Sequence, residues 1–334
     1  MLTILEELPE GILDCPSEDL HRILPGPTLI HLTGRQPKPL FASILLHGNE
    51  DTGLKAVQLI LRKYESKQLP RSLSVFVANV FAAQQRVRRL DGQPDYNRVW
   101  PGADTHGLAE HAMMREVVEQ MRSRNVFASI DLHNNTGINP RYACVNSLEP
   151  PFLHLAVMFS RTVVYFQRPL GVQSMAFTRL CPSVTVECGK TGDAEGDANA
   201  AEFLDACLHM SALPVRDMTS RDVDLFQTVA TVRIPSSKTF SFGNGDADIQ
   251  FEPDLDHMNF QELDADTVWG RTKNSEQDSL DVTDEHGNNV YREYFAFNNG
   301  IIRLQKRIMP AMLTLDSQVI RQDCLCYLMK RLSI

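Results

Sequence analysis

The sequence predicts an α/β fold, a mixed sheet flanked by helices, joined to a smaller C-terminal β-rich domain. Between residue 41 and about residue 212, short apolar runs alternate with longer amphipathic stretches, the pattern of buried strands crossed over by helices. Beyond Leu213-Pro214 that alternation gives way to short β-like segments divided by Gly and Asn turns. A chain of 334 residues, 43% hydrophobic, is long enough for a large core and for two domains. The expected division is residues 1–212 and residues 213–334.

The elements follow in order. FASILL, from Phe41, reads as a strand, and Thr52–Lys67 reads as a helix because Leu54, Val57, Ile60 and Leu61 recur at helical spacing. LSVFVANV (72–79) is a second strand, Leu108 to Ser123 a helix, and VFASIDL (126–132) a third strand. LHLAVMFSR then reads as helix, TVVYF as strand, SVTVE (183–187) as strand and Ala198–Met210 as helix. In the C-terminal part, DLFQTVATVRIP, KTFSFGNGDADIQF and SLDVTDEHGNNVYREYFAF are β-like, with residues 287–289 expected to turn a hairpin.

Composition narrows the partners. A net charge of −9 disfavours a long polyanion, so nucleic acid is not expected. No apolar run approaches the roughly 20 residues of a spanning helix, and no membrane association is expected. The acidic N-terminus does not read as a signal peptide. Seven cysteines, an odd number at irregular spacing, suggest reduced thiols and a cytoplasmic setting rather than a disulfide framework. The expected partner is a small molecule, and self-association into a homo-oligomer is left open.

Chemistry concentrates where the predicted strands end. FASILL runs into His47-Gly48-Asn49-Glu50, FASIDL into His133-Asn134-Asn135-Thr136-Gly137, and SVTV into Glu187-Cys188-Gly189. In open α/β sheets, ligands bind beyond the carboxyl ends of the strands, so three polar tips can share one crevice. Two histidines and a carboxylate form a common catalytic zinc set that leaves a fourth position for water. Glu187 is then the spare carboxylate that can act as general base. Blander readings exist for each part. A His-x-x-Glu match is near chance with ten histidines and 42 acidic residues; Glu187 could pair with Lys190, and Arg86, Arg88 and Arg89 with Asp91 and Asp95. In DYNRVWPG, Asn97-Arg98 can hold a carboxylate, Arg98 bidentately and Asn97 as a second donor.

Taken in order, HGNE with Gly53, DYNRVWPG, DLHNNTG and VTVECGK resemble the motifs of the succinylglutamate desuccinylase/aspartoacylase family of the zinc carboxypeptidase superfamily. They span residues 45 to 190. The resemblance implies a zinc-carboxypeptidase-like catalytic domain followed by a β-rich domain that restricts the active-site entrance. It implies one Zn²⁺ per chain held by His47, Glu50 and His133, with Glu187 as catalytic base and Asn97 and Arg98 on the substrate carboxylate. The family also has an arginine some eight residues ahead of the Asn-Arg pair that polarises the scissile carbonyl. That spacing falls on Leu90, so Arg89 is the candidate after a one-residue insertion. Arg141 and Arg168 are further cations near these motifs.

The expected activity is zinc-dependent hydrolysis of the amide of an N-acyl amino acid or similar carboxylate-bearing amide. Asp131 is expected to orient His133 from behind. Two alternatives stand beside it: a metallocarboxypeptidase acting on short peptides, and a metal-binding sensor without catalysis.

Overall fold

The apolar run from Phe41 completes a strand that begins at Gly34. The structure, a computed structural model, describes residues 1–273 and 279–334. It divides into two units: residues 1–134, 141–225 and 334 form the first, residues 135–140 and 226–333 the second.

In the first unit the strands are β1 (Thr3–Leu5), β2 (Thr28–Leu32), β3 (Gly34–Ile44), β4 (Leu69–Val77), β5 (Ala128–His133), β6 (Tyr142–Val145), β7 (Thr162–Tyr165) and β8 (Ser183–Glu187). Among the described residues of this unit they lie in the order β1-β2-β4-β3-β5-β8-β6-β7. β4, β3, β5 and β8 run parallel, while β2 is antiparallel to β4 on one side and β6 antiparallel to β8 on the other; β1 and β7 run parallel to β2 and β6. The sheet is therefore mixed, as expected, with a parallel centre. The expected strands all form; β1, β2 and β6 are additional, short, and stabilised by pairing rather than by any long apolar run of their own.

Helices α1 (Thr52–Lys63), α2 (Val80–Gln84), α3 (Ala109–Ser123), α4 (Pro150–Val157), α5 (Gln173–Phe177) and α6 (Ala194–His209) complete the unit. Side chains alternate between the faces of a strand, and the sheet uses both. Phe41 and Phe76 pack with Trp100, Phe177 and the buried stripe Met113, Met114, Val117, Val118 and Met121 of α3. Ile44, Val75 and Val77, of opposite parity, meet Leu54, Val57 and Leu61 of α1. Each such side chain taken from water contributes roughly 1.5–3 kcal/mol. No helix among the described residues is long and apolar enough to cross a membrane.

Arg71 on β4 is the most unusual core residue, only 2% exposed. Its guanidinium stacks 3.7 Å over the Phe127 ring and donates to the carbonyls of Lys38 (2.8 Å) and Met210 (2.6 Å). Met210 caps the C-terminus of α6, where the helix dipole favours a cation. Replacement by Met would leave these carbonyls without their donor. Arg71→Met should destabilise the protein by about 3 kcal/mol, read as a lower denaturant midpoint.

The second unit is β-rich. β9 (Asp224–Arg233, within this unit from Phe226), β13 (Asp281–Thr283), β16 (Met309–Ala311) and β17 (Cys326–Arg331) pair antiparallel in the order β13-β9-β17-β16. A second sheet runs β10-β11-β12-β15-β14, from β10 (Phe240–Phe242), β11 (Ile249–Phe251), β12 (Val268–Thr272), β14 (Phe295–Asn298) and β15 (Ile301–Leu304). The core of the unit gathers Phe251, Trp269 and Phe295 of this sheet with Leu328 of β17. The expected hairpin at residues 287–289 forms and is short: the Asp284 N–H donates to the Asn288 carbonyl at 3.0 Å, and the Asp284 carboxylate accepts the backbone N–H of His286 and Asn288. One bridge, Thr283 to Asn289, follows before the chain enters the short helix Tyr291–Tyr294. All seven cysteines are free thiols.

Candidate metal centre and active site

β3, β5 and β8 are consecutive in the sheet, and their carboxyl ends bring three of the sequence-predicted segments together. His133 is the last residue of β5 and lies in register with Glu187, the last residue of β8. His47 comes three residues after β3 ends. The chain reaches it through Leu45, a buried residue in the left-handed region at φ 54°. A leucine there stores strain that only the packed surroundings hold in place. The following turn also requires Gly48, because a Cβ there would lie 2.2 Å from the backbone of Ala82 and Ala83. Packed onto α2 in this way, the turn aims both His47 and Glu50 inward.

His47, Glu50 and His133 are all buried and offer ligand atoms within 4.8 Å of one another. Glu50 bridges the two rings: its Oε1 accepts from His47 Nδ1 at 2.8 Å and its Oε2 from His133 Nδ1 at 2.7 Å. The far nitrogens also meet carboxylates. His47 Nε2 lies 3.1 Å from Asp95 Oδ1, and His133 Nε2 lies 2.8 Å from Asp131 Oδ2. Asp131, wholly buried, is itself fixed by the Ser43 hydroxyl at 2.6 Å. A carboxylate behind each ligand histidine is the usual support of a metal centre, since it fixes the tautomer and strengthens the donor.

Charges hold one another here. Burial favours a neutral Glu50, but the two adjacent histidines keep its carboxyl well below the ordinary range. Burial would likewise lower His133, yet Asp131 and Glu50 raise it well above the ordinary histidine value. Asp95 is held low against burial by Arg88, His47 and Arg98. Glu187 is the exception. Burial pushes its carboxyl up to about 7, Glu50 adds to the rise and His133 opposes it. Its Oε2 is buried without a hydrogen-bond partner. Two imidazoles, a carboxylate and a nearby unpartnered carboxyl oxygen fit a divalent cation, because its charge would replace the positive charge that Asp131 and Glu50 favour on His133.

The other expected site residues divide. The guanidinium beside the candidate ligands is that of Arg88, 2.9 Å from Asp95 Oδ2 and 3.6 Å from Glu50 Oε1. Arg89, the sequence candidate, instead turns to its own loop and donates to the Gln93 carbonyl at 2.6 Å. The bland pairing of the arginine cluster with Asp95 therefore holds for Arg88, while Arg86 pairs with Glu18. Asn97 is buried and engaged. Its Oδ1 accepts the Gln173 N–H at 3.0 Å, and its Nδ2 lies 3.2 Å from His133 Nε2 and 3.4 Å from Asp131 Oδ2. Arg98 is half-buried and donates to the Asn97 carbonyl at 2.8 Å. Arg141 binds Asp193 (3.0 Å) and Glu195 (2.7 Å), and Arg168 binds Asp104 (2.7 Å). The support that Asp95 gives His47 was missed, although an acid two residues before an Asn-Arg pair was the available signal.

The family model for the succinylglutamate desuccinylase/aspartoacylase catalytic domain matches residues 41–210, just over half of the chain. The chain belongs to this family. It is a family of amide-hydrolysing deacylases. Among solved structures, the succinylglutamate desuccinylase of Vibrio parahaemolyticus is similar at 12% identity and a TM-score of 0.61, over 98% of this chain and 96% of that one. The Chromobacterium violaceum succinylglutamate desuccinylase matches at 17% identity and a TM-score of 0.59, over 90% and 86%. Murine aminoacylase 3 matches at 15% and 0.58, over 90% and 97%. At these identities the likeness is one of fold. No curated protein sequence matches the chain significantly.

Proposed function

We propose that this chain is a zinc-dependent hydrolase that cleaves the amide bond of an N-acyl amino acid or a similar small amide bearing a carboxylate. The observation that carries the reading is the buried His47-Glu50-His133 set beside Glu187 on the adjacent strand. The two Nδ1 atoms and the Glu50 carboxylate would hold the ion, and the donor types suit zinc. When bound, zinc supplies a Lewis acid that polarises the amide carbonyl and acidifies water.

The chain's own groups do the rest. Glu187 takes the proton of the attacking water and delivers it to the leaving amine nitrogen, a role suited to a carboxyl near neutral pKa. Arg88 donates to the carbonyl oxygen as negative charge develops there, in place of Arg89. Arg98 holds the substrate carboxylate, and Asn97 braces both His133 and the Arg98 loop. Arg88→Ala should lower kcat/KM by about 10²- to 10³-fold, whereas Arg89→Ala should leave it near the parent value. The reverse order would return the carbonyl role to Arg89.

From the family likeness alone, we also propose that the C-terminal unit limits access and favours small substrates. A hydrolysis screen of zinc-loaded protein tests the whole reading, with N-acetyl, N-succinyl and longer N-acyl amino acids beside short peptides. Cleavage of peptides alone would make it a carboxypeptidase. A protein that carries no zinc and gains none on titration would end the reading.

A further inference from the structure

We infer that Asn134 is a positioning residue that sets Glu187 against the ligand set, an inference that rests on the function proposed above. Asn134 directly follows His133 and is 5% exposed. Its backbone N–H donates to Glu50 Oε2 at 3.2 Å. Its side chain faces two other segments. Oδ1 accepts the Thr52 N–H at 3.2 Å, and Nδ2 donates to Thr52 Oγ1 at 3.0 Å and to the Gly189 carbonyl at 2.9 Å. Thr52 opens α1, two residues past Glu50, and Gly189 lies two residues past Glu187. One buried amide thus joins the segment carrying a candidate ligand to the segment carrying the base.

That joint matters because of how Glu187 is held. Its Oε2 bonds to no protein group, so no side-chain hydrogen bond anchors that oxygen, and its place depends on packing and on the backbone of residues 187–189. Ladder pairing holds the strand as far as Glu187, and the Cys188 N–H donates to the His133 carbonyl at 2.9 Å. Gly189 then turns out of the sheet at φ 93°. At that point the Asn134 side chain takes over the tether. A second strap, from the Thr191 hydroxyl to the Asn49 carbonyl at 3.0 Å, lies at the exposed surface, where water competes for both groups. A base must stay within hydrogen-bond reach of the proton it takes, and small misplacements lower rates steeply.

The decisive variant is Asn134→Asp in the full-length, zinc-loaded protein. It keeps the side-chain size and the acceptor for Thr52, but turns an acceptor towards the Gly189 carbonyl. The backbone bond to Glu50 is retained, so zinc stoichiometry should not change. With the best substrate of the screen, kcat should fall about 10- to 100-fold with KM little changed. In a Glu187→Gln background the same substitution should cost nothing further, because residues that act through one another are not additive. Thr52→Val, which removes the hydroxyl that accepts from Asn134 and donates to Asp197 (2.7 Å) but leaves the Gly189 tether, should stay near the parent kcat. Backbone amides of residues 188–192 should exchange hydrogen faster in Asn134→Asp, whatever the activity. Unchanged kcat, an equal loss in the Glu187→Gln background, an equal loss in Thr52→Val, or unchanged exchange would each overturn the assignment. Asn134→Ala replaces the Asp variant if the latter does not fold. If the parent protein cleaves none of the substrates, the proposed function fails and the exchange measurement alone decides the role of Asn134.

Discussion

Glu187→Gln is expected to keep the metal set loaded, to lower hydrolysis by about 10²- to 10⁴-fold, and to make the metal-free protein more stable at alkaline pH. The first two effects follow from its place. The ligand group is His47, Glu50 and His133, without Glu187, so an amide at 187 leaves those donors intact while removing the base. The third follows from linkage. The carboxyl titrates near 4.5 when unfolded and at about 7 when buried. Between those values the folded state binds more protons than the unfolded one, so stability falls as pH rises through the interval. Above it the whole shift has been lost, about 3 kcal/mol at 1.36 kcal/mol per unit. Gln does not ionise and avoids that loss. Chemical denaturation of both metal-free proteins at pH values below and above the interval measures this directly. Equal stabilities at alkaline pH would show that Glu187 is not buried as charged carboxylate, and unchanged turnover in the loaded variant would remove it from the chemistry.

What could be read in the sequence follows physical range. The central strands were legible because they are buried on both faces, so each is a near-continuous apolar run, and SVTVE has the same limits in both readings. The convergence of His47, Glu50, His133 and Glu187 was legible because it needs only strand order and the rule that sites gather at carboxyl ends. That Arg88 rather than Arg89 lies beside Glu50 and Asp95 was not. It depends on the path of the loop between Gln85 and Asp95, where the Gly48 N–H donates to the Arg88 carbonyl at 3.1 Å and so sends adjacent arginines to different partners. Spacing within a motif cannot encode such a tertiary bond. The same holds for the Asn97 amide oxygen, which accepts the N–H of Gln173, 76 positions away in the chain. DLHNNTG conceals a further division, since Asn134 belongs with the first unit and residues 135–140 with the second. There the Asn139 side chain accepts the Met312 N–H at 2.9 Å.

Removing the metal is expected to abolish turnover, to lower the melting temperature by several degrees and to expose a competition between metal and proton. An ion bound only to the folded state, at a free concentration 100-fold above its Kd, stabilises by about 2.7 kcal/mol. That stabilisation disappears on treatment with a chelator. Without metal, Glu50 and His133 lie 2.7 Å apart and each favours the charged form of the other. For His133, with its folded pKa raised, this pairing contributes stability below the ordinary histidine value and loses it as pH rises through the raised one. For Glu50, with its folded pKa lowered, the contribution is present above the ordinary carboxylate value and is lost as pH falls through the lowered one. An ion held by Nδ1 of His133 would take the lone pair that a proton occupies there at neutral pH, so its binding would displace that proton. The apparent affinity should therefore climb about tenfold per pH unit around neutrality, measured by competition with a chromogenic chelator. Calorimetry in buffers of different ionisation enthalpy should report the released proton. Asp95→Asn keeps all three ligands but weakens the acceptor behind His47, and it should reduce affinity by about 10- to 100-fold. An affinity independent of pH around neutrality would mean that His133 is not the protonated partner of Glu50. Full activity after complete chelation would remove the metal from the reaction, leaving Glu187 and Arg88 to carry the hydrolysis unaided.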